Sequence, residues 1–147
     1  MEPSSGDLLA FRRFADAFDA ENFDAGRVHS SEEVEPGVYS WPWWEESPIV
    51  GEWHQALYDN HVIDPESDYL SEDFAAKMRQ FEVAPALLDG ADLQTIRTVL
   101  TNISRGDRFC DGYMASMFEN GVAQAATRRL VGLASAPGNK VERTEPA

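Results

Sequence analysis

Four apolar side chains at helical spacing, Leu93, Ile96, Leu100 and Ile103, lead directly into a carboxylate, Asp107. The spacing is that of a helix with one face turned to a core, and Asp107 takes the next position on that face. A carboxylate aimed at a core is costly unless it finds a partner. We therefore expect Asp107 to accept from a distant donor: Arg12, Arg13, Arg128, Arg129, a tryptophan indole N–H or a freed backbone amide. Phe109 and Arg105 fall on the opposite side of the same helix, which predicts a central helix buried on both sides.

The segment after Ser104 is dense in chemistry. Arg105, Asp107, Arg108 and Asp111 stand among two glycines, Phe109 and the single cysteine, Cys110. On one continuous helix, Asp107 and Asp111 would repel by a few tenths of a kcal/mol. Ending the helix near Asp111-Gly112 relieves this and makes Asp111 the N-cap of the next helix. Gly106 inside a helix costs about 1 kcal/mol relative to alanine, a cost offset if another element approaches the backbone closely there. Two readings of the segment follow. In one, Asp107 belongs to a polar lock that fixes helix register. In the other, Arg105 and Arg108 clamp an anion beside Asp107 acting as acid or base. Cys110 as a nucleophile needs a base, and the three histidines, His29, His54 and His61, lie far away in sequence. Arg105-Gly106-Asp107 spells the cell-adhesion tripeptide, but it continues a helical pattern instead of sitting in a loop.

Helical signals dominate the rest of the chain. Leu8, Phe11, Phe14, Ala15 and Phe18 form one stripe that stops before Asp24-Ala25-Gly26. Ser47-Pro48 opens a helix carrying Ile49, Trp53 and Leu57. Ser71 caps another with Phe74, Met78 and Phe81, and Asp92 caps the central helix. Met114, Met117 and Phe118 mark a further helix, closed by Asn120-Gly121. Val122, Ala126, Leu130 and Leu133 mark the last. Residues 27–40 read as a polar loop, with Val38 to Trp41 a short strand-like run. The expected fold is all-α: a single-domain bundle of about six helices over residues 1–133, with a disordered tail at 134–147.

All four tryptophans, Trp41, Trp43, Trp44 and Trp53, fall in one short stretch. We expect them to wrap their segment onto the core; the competing role is an aromatic groove, for which a cationic or sugar ligand suits the neighbouring Glu45 and Glu46 best. His54 and His61 have no third ligand at metal-like spacing, so they are read as solvent-facing or capping residues, with no metal and no cofactor assigned.

The formal net charge is −14 and is unevenly placed. Residues 1–74 hold 18 acidic and 3 basic side chains, whereas residues 75–147 hold 8 and 9. Such a field repels nucleic acid and anionic membranes, and it suits a basic protein surface. A single cysteine excludes an internal disulfide framework, and no apolar run approaches membrane-spanning length. The opening residues, Met1 to Asp7, lack a basic n-region and an apolar h-region, so a cytoplasmic protein is expected.

The run Thr101 to Gly112, then Met117-Phe118-Glu119-Asn120-Gly121 and Arg128-Arg129-Leu130, resembles the end of a bacterial family, domain of unknown function 6508. The carrying pattern is R-x-[DE]-R-F-x-[DE]-G, a "fesG" turn and an "RRL" helix. The region from Tyr39 to Tyr58, with Ser47-Pro48-Ile49-Val50 and Leu57-Tyr58, is similar to that family's "YS-P-V … ALY" segment. The resemblance spans about residues 38–130 and implies a domain type and a bacterial or phage source, without a mechanism. The first expectation for function is an acidic interaction or accessory module. The alternatives are a ligand-binding protein or enzyme built on Arg105, Asp107 and Arg108, and a DNA mimic that inhibits a nucleic-acid-binding protein.

Overall fold

A computed structural model describes residues 2–107 and 112–135. Its helices are α1 (Ser5–Leu9), α2 (Arg12–Phe18), α3 (Pro48–Asp59), α4 (Glu72–Val83), α5 (Leu93–Gly106), α6 (Tyr113–Glu119) and α7 (Val122–Ser135), with a 3-10 turn over Pro85–Gly90. The all-α expectation is corrected by two small antiparallel sheets between α2 and α3. Strand β1 (Gly26–His29) pairs with β4 (Trp43–Glu46), and β2 (Glu33–Glu35) pairs with β3 (Val38–Tyr39). Residues read as a polar loop thus form a β-ribbon. Val38 and Tyr39 are in a strand, as their composition suggested, while Trp41 and Pro42 lie between β3 and β4.

Local chemistry explains the helix starts. Ser4 and Asp7 form a reciprocal capping box on α1. The Ser71 hydroxyl accepts the Phe74 N–H at the start of α4, and the Asp92 carboxylate accepts the Thr95 N–H at 2.8 Å at the start of α5. That bond holds the Asp92 carboxyl below its ordinary pKa. Its stabilising contribution is complete above the ordinary value and is lost as pH falls through the lowered one. Ser47 has the extended backbone of an N-cap before Pro48, yet its buried hydroxyl bonds to no described residue. The first apolar stripe is divided between α1 and α2 at Ala10-Phe11, and Leu8, Phe11, Phe14 and Phe18 are still all buried.

Helix α5 is the buried central helix. Ile96, Val99, Leu100 and Ile103 are fully covered, and Arg97, Thr98, Thr101 and Ser104 are buried as well. Helix α7 packs against α1, α2, α5 and the 3-10 turn, and its small residues Ala123, Ala125 and Ala126 permit that close approach. Its last residue, Ser135, extends past the expected domain end at 133; residues 136–147 lie outside the described residues.

One buried charge ties an irregular segment to this core. Arg97 is 6% exposed and donates from Nε to the Val62 carbonyl (3.2 Å) and from Nη2 to the His61 carbonyl (3.3 Å). Its Nη1 stands 4.0 Å from the Asp64 carboxylate. The carbonyls face inward because the chain reverses after α3, with His61 in the left-handed region at φ 62°. Buried carbonyls need donors, and Arg97 supplies them.

Candidate functional site

Helix α5 ends at Gly106, and Asp107 is its C-cap. The Asp107 carboxylate accepts the Met114 backbone N–H at 3.0 Å, in the first turn of α6. Of the donors considered, a freed backbone amide is the one used, since the first N–H groups of a helix have no intrahelical partner. Asp107 is half-buried, not sealed in the core. Gly112, at φ 83°, is the N-cap of α6, and Arg108, Phe109, Cys110 and Asp111 lie outside the described residues. The Tyr113 ring lies close over Gly106; a Cβ there would stand 3.0 Å from two ring carbons, so a larger residue would make the ring shift. Replacing Asp107 with alanine should cost about 1 kcal/mol, as for loss of a helix cap, while Asp107→Asn should retain most of that stability. Chemical denaturation of the two variants checks this.

Arg105 turns to a different partner. Its Nε donates to the Tyr69 hydroxyl at 3.0 Å, and its guanidinium carbon lies 5.9 Å from the Tyr69 ring centre. Asn102 extends the same patch, donating to the Tyr69 carbonyl and accepting from the Tyr113 hydroxyl. Arg105 therefore joins the connector before α4 to the end of α5, and it is not among the residues that line the cleft beside Asp107.

The four tryptophans separate. Trp53 is fully buried, donates its indole N–H to the Thr127 hydroxyl at 3.0 Å, and meets Phe18 and Phe118 edge-on. Trp44 is half-buried against the core. Trp43 is 53% exposed and Trp41 86%. Wrapping onto the core thus holds for Trp53 and partly for Trp44, and it is corrected for the other two.

The register of the ribbon explains this division. Opposed residues share a face: Val28 with Trp44, and His29 with Trp43. His29 stacks on Trp43 with ring centres 4.3 Å apart, and its Nε2 lies 2.7 Å from the Glu45 carboxylate. Arg27 stands 3.5 Å from the same carboxylate. The His29 hydrogen bond, helped by Arg27, holds the Glu45 carboxyl below its ordinary pKa. At the ribbon base, the Ser47 N–H donates to the Ala25 carbonyl at 2.8 Å, and Phe23, Ala25 and Trp44 pack on the core.

Two clefts open where the ribbon meets the helices. The larger, about 610 Å³, has Phe23, Val28, Trp44, Ala115 and Phe118 in its walls. The smaller, about 400 Å³, is lined by Trp43, Trp44, Glu45, Glu46, His54, Asp107 and Met114. The second brings the aromatic stretch and Asp107 together. Among the described residues it is lined by no lysine or arginine.

His54 was read as solvent-facing or capping, and the structure corrects this. Its Nε2 lies 2.7 Å from the Ser104 hydroxyl, which is also 3.0 Å from the Tyr58 hydroxyl. Ser104 is only 3% exposed, so the pair ties α3 to α5 where a substrate carbonyl has no access. Sequence reasoning missed this tie and Arg97 alike. The one available signal was the row of small hydroxyl residues, Thr98, Thr101 and Ser104, on the second side of α5.

Among the described residues no group of three or more histidine, cysteine, aspartate or glutamate side chains is placed to hold a metal ion. No helix among them is long and apolar enough to cross a membrane.

The family model described as "Family of unknown function (DUF6508)" matches residues 4–136, a longer stretch than the 38–130 of the sequence resemblance. No curated protein and no solved structure matches the chain.

Proposed function

For a chain that belongs to the DUF6508 family of unknown function, we propose the role of an interaction module that meets a basic protein partner with its β-ribbon. The observation that carries this reading is where apolar surface is left open. Among the described residues, six of the eleven exposed large apolar side chains lie on the ribbon: Val28, Val34, Val38, Tyr39, Trp41 and Trp43. Water-exposed apolar surface concentrated in this way marks contact sites, and tryptophan and tyrosine are favoured anchors in them. The same segment carries Glu32, Glu33, Glu35, Glu45 and Glu46 against one arginine, Arg27. An apolar centre with an acidic rim selects a partner with a basic rim and speeds its approach.

Among the described residues each sheet has only two strands, so both strand pairs have edges that no further strand covers. Natural proteins blunt such edges with charge, and here the charge is uniformly acidic at the ribbon tip. An extended basic segment adding to that edge would satisfy both the backbone groups and the field.

Selection from a random peptide library displayed on phage tests the reading. Enriched sequences should be rich in arginine and lysine. Their affinity should fall at least about tenfold, or about 1.4 kcal/mol, for a Val34→Ser, Trp41→Ala double variant whose melting temperature is unchanged. Enrichment of neutral or acidic sequences, or binding indifferent to that variant, would overturn it.

A further inference from the structure

The smaller cleft names the chemistry that such a partner would insert, and this step rests on the interaction reading above. We propose that the cleft between β4 and the ends of α5 and α6 receives an arginine side chain of the partner. Trp43 and Trp44, neighbours on β4, line it together with the buried Met114. Three carboxylates line it, and they are not equivalent. Glu45 is already shared by His29 and Arg27. Asp107 uses one oxygen, Oδ1, on the Met114 N–H, which leaves Oδ2 for another donor. The Glu46 carboxylate lies over Gly51 in the first turn of α3, where a Cβ would come within 3.2 Å of it. No arginine or lysine among the described residues pairs with Glu46 or Asp107.

The cleft thus brings two tryptophans together with two carboxylates that no arginine or lysine among the described residues pairs with. The concavity is at the small end of the usual ligand-site range of about 300–1,000 Å³. An arginine side chain supplies what is missing. Its guanidinium stacks on an indole, accepts no hydrogen bond and donates in a fork to carboxylate oxygens. Its aliphatic stem covers apolar wall. An ammonium is more strongly hydrated and lacks the planar fork, so lysine suits these walls less well.

Binding of N-acetyl-arginine methylamide, followed by two-dimensional ¹H–¹⁵N NMR of the whole chain, tests the assignment. The Trp43 and Trp44 indole N–H signals and the Met114 amide should shift saturably. The neutral isostere N-acetyl-citrulline methylamide should leave them unmoved, and the lysine analogue should bind several-fold more weakly. Glu46→Gln should weaken the arginine response about tenfold. Asp107→Asn, which keeps a carbonyl oxygen for the Met114 N–H, should also weaken it with the remaining spectrum intact. Equal shifts with citrulline, binding of lysine as tight as arginine, or indifference to both substitutions would overturn the assignment. If library peptides bind through Val34 and Trp41 while arginine leaves the cleft signals still, the cleft assignment fails and the ribbon reading survives. Failure of both experiments removes both.

Discussion

Replacing Trp53 with alanine is expected to destabilise the fold by about 3–5 kcal/mol, the range for deleting a large aromatic side chain from a packed core. The side chain is fully buried and touches three elements: it meets Phe18 of α2 and Phe118 of α6 at their ring edges and bonds to Thr127 of α7. A cavity there separates the N-terminal helices from the C-terminal pair. At about 4 °C per kcal/mol for a domain of this size, thermal unfolding should shift down by more than 10 °C. Trp53→Phe gives the control. It keeps most of the aromatic contact and removes the indole N–H, and the Thr127 hydroxyl still donates to the Ala123 carbonyl at 2.8 Å. A loss for Trp53→Phe close to that for Trp53→Ala would show that the hydrogen bond, not the packing, is the main contribution.

The second large effect belongs to Arg97. Arg97→Met should cost about 3 kcal/mol, because it leaves the buried Val62 carbonyl and the His61 carbonyl without their donor and removes the cation nearest Asp64. Arg97→Lys should recover only part of this, since an ammonium cannot reproduce the fork that reaches the His61 and Val62 carbonyls together. Urea denaturation with hydrogen exchange locates the damage. Faster exchange should begin in residues 61–70 and along α5, before the ribbon is affected. Unchanged stability in Arg97→Met would mean that water satisfies those carbonyls and that the tie is not structural.

Most helices were legible in the sequence because their signals are local. Ser71 and Asp92 cap the helices that their types and positions indicate. The apolar positions of α5, α6 and α7 fall on the buried faces that 3.6-residue periodicity assigns. The ribbon was not legible. Its strands are two to four residues long, and mostly exposed, so alternation has no room to show. The pairing of β1 with β4 also joins residues as far apart in sequence as Gly26 and Glu46, which no window of neighbouring residues contains. Asp107 was singled out as a core-facing carboxylate that needs a donor. It has one in the Met114 N–H, but it stands half-buried as the C-cap of α5, because the helix ends at Gly106 and not near Asp111. Its placement in a cleft with Trp43 and Trp44 rests on the pairing of β1 with β4. Arg97 stayed hidden because a charged residue between Ile96 and Thr98 reads as a solvent position until the chain reversal at His61 is known.

The ribbon has two parts that share no ladder. The inner pair is fixed: Gly26 stands at φ 152°, and a Cβ there would come within 2.3 Å of the Glu45 carbonyl oxygen. The outer pair is joined to it through Ser31, Glu32 and Ser40, whose hydrogen bonds close the hairpin independently of the helices. Such a build separates a stalk held against the helices from a head closed by its own hydrogen bonds. The head can thus be exchanged as a unit while the helical body stays the same, and under the interaction role proposed above a grafted head should change the choice of target without unfolding its carrier.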